Sequence, residues 1–235
     1  MITDKIIRAH LKGIYKETSH EGNPLPELRL VDELAIPKRI CLADVVAIPL
    51  SVDASKGLHG FEIKSEVDSL TRLESQIHYY SRVFKKCSLV VTEKHEKKAL
   101  DMIPDWWGVI VALSIGFDEY GDPLDEIILL ETRVAQENPT PLIPYSLTQL
   151  LWRTELVDIV KTKELDVKKT GSKRVLRTAI SKQLSIEELE STVITYLAER
   201  EEWKIPGVKY ERPVRKRKSS SKPRRVRRIK TAKIN

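Results

Sequence analysis

The chain has 235 residues, 41% of them apolar and 32% charged, with a formal net charge of +7. That apolar share can fill a real core, but no run approaches the ~18 apolar residues of a membrane span. The opening Met1-Ile2-Thr3-Asp4-Lys5 lacks the apolar stretch of a secretory leader, and two isolated cysteines, Cys41 and Cys87, exclude a disulfide framework or a cysteine-built zinc site.

The average charge hides an asymmetry. Residues 209–235 hold thirteen Lys and Arg against one acid, Glu211, so residues 1–208 carry 28 basic and 33 acidic side chains, a balance of −5. A mildly acidic body with a strongly basic end reads as a folded unit with an electrostatic arm for a polyanion. A reducing cytoplasm, with association to the nucleoid through that arm, is the expected location.

In chain order, residues 3–16 are predicted helical: Thr3 or Asp4 can cap, and Ile6, Ile7, Leu11, Ile14 and Tyr15 form one stripe. Residues 19–26 read as a loop, and residues 28–34, with Glu33 near the end, fit either regular class. Residues 39–50 and 58–64 read as strands joined by a turn over 53–57. Val67, Leu70, Leu73, Ile77, Tyr80 and Phe84 then recur at helical spacing, predicting a helix of about five turns with Ser65 as cap and Glu66 and Asp68 in its first turn. Residues 87–92, 108–115 and 126–135 read as strands and 93–102 as a helix. The order predicts a mixed α/β sheet flanked by helices.

Past Pro144 the β character ends. Residues 146–161, 174–182 and 185–200 read as amphipathic helices, with a charged linker over 161–172. The division expected is a core over 1–144, a helical lobe over 145–208 and a disordered basic tail over 209–235.

The chemistry concentrates in Gly60-Phe61-Glu62-Ile63-Lys64. On a strand, residues two apart share a face, so Glu62 and Lys64 project together while Phe61 and Ile63 face the other way. Asp44 sits in the otherwise apolar strand Leu42-Ala43-Asp44-Val45-Val46-Ala47-Ile48, where a lone carboxylate is costly unless exposed, paired or metal-bound. If the two strands pair, Asp44 and Glu62 can converge on one Mg²⁺ (or Mn²⁺), a hard cation that keeps several waters and takes phosphate oxygens as further ligands. Lys64 would then hold the attacking water and offset phosphate charge.

D…ExK on adjacent strands followed by a long helix resembles the core of the PD-(D/E)xK, or restriction-endonuclease-like, superfamily. Gln76 and Tyr80, one turn apart, are similar to the QxxxY motif of its RecB-type nucleases. Glu33 matches the extra acid many members place near the metal. The fuller string through Arg72-Leu73, Leu89-Val90-Val91-Thr92 and Trp106-Trp107-Gly108 resembles a bacterial family of predicted nucleases found in phages and mobile elements and related to MmcB-type DNA-repair proteins, over roughly residues 5–200. The resemblance implies an αβββαβ core with a mixed sheet, Mg²⁺-dependent hydrolysis of DNA, metal on Asp44 and Glu62, catalysis by Asp44, Glu62 and Lys64, and support from Glu33, Gln76 and Tyr80. Relatives place the Asp two residues after an Arg, whereas Asp44 follows Arg39 by five, which implies an insertion or bulge.

Each residue has a plainer reading. Glu62 and Lys64 could be a solvated strand face, Glu33 a surface acid, Gln76 and Tyr80 ordinary packing. Arg72 either nears a phosphate or makes an i,i+4 pair with Asp68. Trp106-Trp107 fits a core better than a base-stacking platform, and His78 and His95 fit the surface. In the tail, Arg215, Lys216, Arg217, Lys218, Arg224, Arg225, Arg227 and Arg228 suit sequence-blind phosphate contact, or general polyanion stickiness. The alternative to a nuclease is a catalytically weak DNA-binding or repair-accessory protein, with or without dimerisation; another is an interaction protein that docks through its helical lobe.

Overall fold

The computed structural model describes residues 1–17, 28–36, 41–50, 57–116, 126–201 and 203. The expected loop over 19–26, nearly all of the turn over 53–57, Arg39 and the whole basic tail from residue 209 lie outside them. Residues Met1–Glu202 form one compact unit and Trp203–Asn235 a second, of which Trp203 alone is described.

The first unit is mixed α/β. Helix α1 (Asp4–Glu17) precedes strands β1 (Leu28–Ile36), β2 (Cys41–Pro49) and β3 (His59–Lys64); then come α2 (Leu73–Tyr80), β4 (Lys86–Thr92), α3 (Glu93–Leu100), β5 (Gly108–Ser114) and β6 (Ile127–Arg133). The six strands lie in sequence order. β1, β2 and β3 form an antiparallel meander, β3, β4 and β5 are parallel, and β6 is antiparallel to β5. Parallel neighbours need a crossover; α2 spans β3 to β4 and α3 spans β4 to β5. β4, central and buried on both faces after Lys86, reads as a continuous apolar run for that reason.

Alternation along the strands sorts side chains to the two faces. Val45, Ala47, Phe61, Ile63, Val90, Ile110 and Ala112 share one core cluster with Ile2, Ile7 and Leu11 of the α1 region. Glu62 and Lys64, out of phase with Phe61 and Ile63, meet Gln76 and Tyr80 of α2 instead. Gly60, two residues before Glu62 and in phase with it, has no room for a side chain: a Cβ there would come within 2.6 Å of the Phe84 ring.

Two expectations change and one open reading is resolved. The helix predicted from Ser65 begins only at Leu73. Ser65 Oγ and Ser65 N–H both donate to Asp68 Oδ2, at 2.6 and 2.9 Å. That local bond closes a turn that competes with helical pairing, leaves Val67 68% exposed, and engages Asp68 with Ser65 rather than with Arg72. Residues 28–36 are a strand, the first of the sheet. The helix expected over 146–161 is broken: α4 (Pro144–Leu147) and a 3₁₀ turn (Thr148–Leu150) precede α5 (Arg153–Thr162), with Leu151 and Trp152 extended between them.

Helices α6 (Lys173–Gln183) and α7 (Ile186–Glu199) follow, capped by Ser172 and Ser185 through their hydroxyls. Arg200 holds both oxygens of Glu155, at 2.9 and 2.8 Å, while Glu155 accepts from the backbone N–H of Trp152 and caps α5. Arg29 of β1 donates to the carbonyl of Ala198 at 2.8 Å, tying α7 to the sheet. The helices after Pro144, as far as residue 202, thus lie in the same compact unit as the sheet. No helix among the described residues is long and apolar enough to cross a membrane.

Candidate active site

The β2–β3 ladder sets the geometry. It runs Ala47↔His59, Val46↔Gly60, Val45↔Phe61 and stops where Asp44 and Glu62 would come next. Past that point the ladder is replaced by a side chain: Asp44 Oδ2 accepts from the backbone N–H of Ile63 at 2.8 Å. The carboxylate stands in for a strand carbonyl, and the strands open around it.

Glu62 is 1% exposed and fully engaged. Its Oε1 accepts from Lys64 Nζ at 2.6 Å and from Gln76 Nε2, and its Oε2 accepts from the Tyr80 hydroxyl at 2.7 Å. Lys64 Nζ also donates to Gln76 Oε1 at 3.0 Å. The Tyr80 hydroxyl lies 3.2 Å from both the Phe61 carbonyl and the Asp44 N–H. The Tyr80 ring packs against Trp107 and Phe84, with centroids 5.4 and 5.1 Å apart. Trp107 is fully buried, a core residue. The structure thus brings Asp44, Glu62, Lys64, Gln76 and Tyr80 into one connected cluster, and a solvated strand face is excluded for Glu62 and Lys64.

Burial dominates the electrostatics, and the charge of Asp44 adds to it at Glu62. Burial, then the charge of Asp44, pushes the Glu62 carboxyl up to about 7, against the pull of Lys64 and Tyr80. Burial likewise raises Asp44, opposed by the Ile63 N–H, Arg8 and Lys64. Burial and then Glu62 and Asp44 drive the Tyr80 phenol well above its ordinary range, so it stays a donor.

The remaining expected residues are not hydrogen-bonded into the cluster. Glu33 lies on β1 opposite Asp44, between the pairs Asp32↔Val45 and Leu34↔Ala43, and its φ of 51° breaks the ladder there. This irregularity is on β1; from Cys41 to Pro49 the register of β2 is otherwise continuous. A non-glycine residue in the left-handed region is strained, but Glu33 makes none of the hydrogen bonds that join the cluster. Arg72 is exposed at the N-terminal flank of α2, within electrostatic reach of Cys41. His78 is exposed and His95 half-buried. Arg215, Lys216, Arg217, Lys218, Arg224, Arg225, Arg227 and Arg228 lie outside the described residues.

Two neighbours were not anticipated. Arg8 of α1 donates to Asp44 Oδ1 at 3.1 Å and to the Asp44 carbonyl. Cys41, buried at the start of β2, has its thiol pushed up to about 12 by burial and then by Glu62 and Asp44. Neither has a local sequence signal: the Arg8–Asp44 contact spans 36 positions.

Among the described residues there is no group of three or more His, Cys, Asp or Glu placed to hold a metal ion. What the site offers a cation is a pair of carboxylates, both raised by burial, with the charge of Asp44 raising Glu62 further. Two carboxylates plus waters and substrate oxygens fit Mg²⁺ better than a metal that demands a full protein cage. Asp44, its side chain 22% exposed against 1% for Glu62, is the solvent-facing member. A cleft of about 550 Å³ between Ile2, Glu66, Val67, Thr92 and Lys94 begins two residues past Lys64, rather than at the carboxylates.

Comparison with known proteins adds a family. The family described as Bacteriophage P4 protein cII matches residues 19–221. No curated protein matches the chain. Among solved structures, the SPO1766 protein of unknown function from Silicibacter pomeroyi matches with 14% identity, over 70% of this chain and 92% of that one, at a TM-score of 0.35. Neither description names an activity.

Proposed function

The chain belongs to the bacteriophage P4 protein cII family, and we propose that it is a metal-dependent deoxyribonuclease of the PD-(D/E)xK superfamily, with Asp44, Glu62 and Lys64 as its catalytic set. The observation that carries this reading is the cluster itself: the three residues and the QxxxY pair, from two strands and a helix, meet through direct hydrogen bonds. The order α1-β1-β2-β3-α2-β4, with an antiparallel meander and β4 parallel to β3, supports it as the arrangement that the αβββαβ core requires.

Asp44 and Glu62 would hold the cation, Mg²⁺ or Mn²⁺. Bound there, it supplies Lewis acidity, easing deprotonation of water and offsetting phosphate charge. The protein's own residues do the rest. Gln76 bridges Glu62 and Lys64 and fixes their spacing, while Tyr80 fixes the second oxygen of Glu62 and the backbone of Asp44. Lys64 places a positive charge where negative charge grows as water oxygen bonds to phosphorus. The opposite P–O bond then breaks and the departing oxygen is protonated from solvent. Arg72 at the rim and the basic residues of 209–235 would grip the DNA backbone without reading sequence.

The second reading, a weakly catalytic DNA-binding or repair-accessory protein, is favoured by one observation. Glu62, Lys64 and Gln76 satisfy one another while nearly inaccessible. Incubating the protein with plasmid, linear duplex and single-stranded DNA in Mg²⁺, Mn²⁺ or EDTA, beside Lys64→Ala and Glu62→Ala, separates the two. Metal-dependent cleavage lost in both variants supports the nuclease. Salt-sensitive DNA binding with no cleavage by the wild type supports the accessory protein.

A further inference from the structure

Arg8 lies outside the catalytic set just proposed, yet it is the charged group most directly engaged with Asp44. Its Nη2 donates to Asp44 Oδ1 at 3.1 Å and its Nη1 donates to the carbonyl of the same residue. The other carboxylate oxygen accepts from Ile63 N–H at 2.8 Å. Asp44 is therefore held at its carbonyl and at both carboxylate oxygens, the carboxylate gripped from a helix on one side and a strand on the other. A carboxylate has about four lone-pair sites, so this grip leaves each oxygen able to accept again.

Arg8 is itself held. Its Nε donates to Asp4 Oδ2 at 2.7 Å, and Nη1 lies 3.6 Å from Asp32 Oδ1 of β1, which is also paired with Lys12. Ile7 and Leu11, on either side of it along α1, are buried in the core. The Arg8 side chain is only 17% exposed. Asp4 and Asp32 beside the guanidinium offset its charge, so that it orients Asp44 without leaving the site cationic.

We propose that Arg8 is the positioning residue of Asp44, its guanidinium spanning the carbonyl and the carboxylate to fix the plane in which Asp44 meets a divalent cation. This rests on the metal-dependent reading above. Electrostatics alone points the other way: a neighbouring cation repels a metal ion, so removing it would tighten metal binding. Positioning requires that removal loosen it. A planar fork that contacts two oxygens of one residue is not reproduced by a lysine, so charge alone does not restore the grip.

The test is Mn²⁺ titration of the full-length chain by calorimetry, with electron paramagnetic resonance of the bound ion, on wild type, Arg8→Gln, Arg8→Lys and Asp44→Asn. Thermal melts of each variant establish that it is folded. The expected result is Kd raised about 10- to 100-fold in both Arg8 variants, the usual effect of losing a group that orients a ligand, with an altered spectrum of the bound ion. Unchanged or tighter binding by Arg8→Gln overturns the proposal, as does full rescue by Arg8→Lys. Should Arg8→Gln fail to fold, Arg8→Lys and Asp32→Asn, which loosens Arg8 from behind, carry the same expectation. No Mn²⁺ binding by the wild type defeats the nuclease reading and this inference with it. Binding by the wild type that survives every Arg8 change defeats this inference alone.

Discussion

The carboxyl of Glu62 makes a prediction whose sign is opposite to the common one. Most carboxylates in folded proteins are stabilised as anions, and stability rises with pH as they ionise. Glu62, pushed by burial and Asp44 from an ordinary 4.5 to about 7, binds a proton in the folded state over a window in which the unfolded chain has released it. Its contribution is fully present below pH ~4.5 and is lost as the pH rises through ~7. The linkage amounts to about 3 kcal/mol across that window, at 1.36 kcal/mol for each pH unit of displacement. Asp44, displaced in the same direction, adds to it. The assay is urea unfolding in EDTA between pH 4.5 and 8, wild type beside Glu62→Gln, which keeps the shape and cannot ionise. The stability of the wild type relative to the variant should fall by about 3 kcal/mol with rising pH, and added Mn²⁺ should flatten the fall by binding the ionised form. Parallel curves in EDTA would falsify the burial argument for this site.

Two further outcomes follow from the same contacts. Tyr80→Phe keeps the ring contacts with Trp107 and Phe84 but removes the hydroxyl shared by Glu62, Phe61 and Asp44; it should cost about 1–3 kcal/mol in chemical denaturation, and any cleavage should drop with it. Gly60→Ala places a methyl 2.6 Å from the Phe84 ring, so it should cost about 1–3 kcal/mol through overpacking, and a variant as stable as wild type in a thermal melt would show that the ring gives way freely.

Part of this was legible in the sequence. Strand period alone puts Glu62 and Lys64 on one face, and helix period alone puts Gln76 and Tyr80 on one side of α2. Asp44 could be matched to Glu62 because an isolated acid in an apolar strand demands a partner. What stayed hidden depends on contacts between distant residues or on single backbone angles. Arg8 finds Asp44 only once α1 docks on the sheet, and the left-handed φ of Glu33 has no signal in a residue type that seldom adopts it. The late start of α2 follows from a competing turn, closed by the two hydrogen bonds from Ser65 to Asp68, between residues that also fit the first turn of a helix. The strand β1 was ambiguous because seven apolar-rich residues suit either period until a neighbour is known.

The buried pair of Lys64 and Glu62 separates catalytic from structural explanations of the cluster. Breaking such a pair from one side leaves a charge unpaired and costs about 3–5 kcal/mol, whereas replacing both partners by apolar residues of similar size is commonly neutral or stabilising by about 1–4 kcal/mol. Here Lys64→Met should be milder at pH 5 than at pH 8, because Glu62, titrating at about 7, can give up its charge. In Glu62→Leu/Lys64→Met the neighbours are not orphaned: the Tyr80 hydroxyl keeps the Phe61 carbonyl and the Asp44 N–H, and Gln76, at 8% exposure, keeps an edge to water. The double variant should therefore unfold in urea at a midpoint equal to or above that of wild type at pH 7, while retaining no metal-dependent cleavage. A double variant several kcal/mol less stable than wild type would mean that the cluster exists to hold β3 against α2. A stable one would leave a pair that is costly to bury and unnecessary to the fold, which is what a site kept for chemistry looks like.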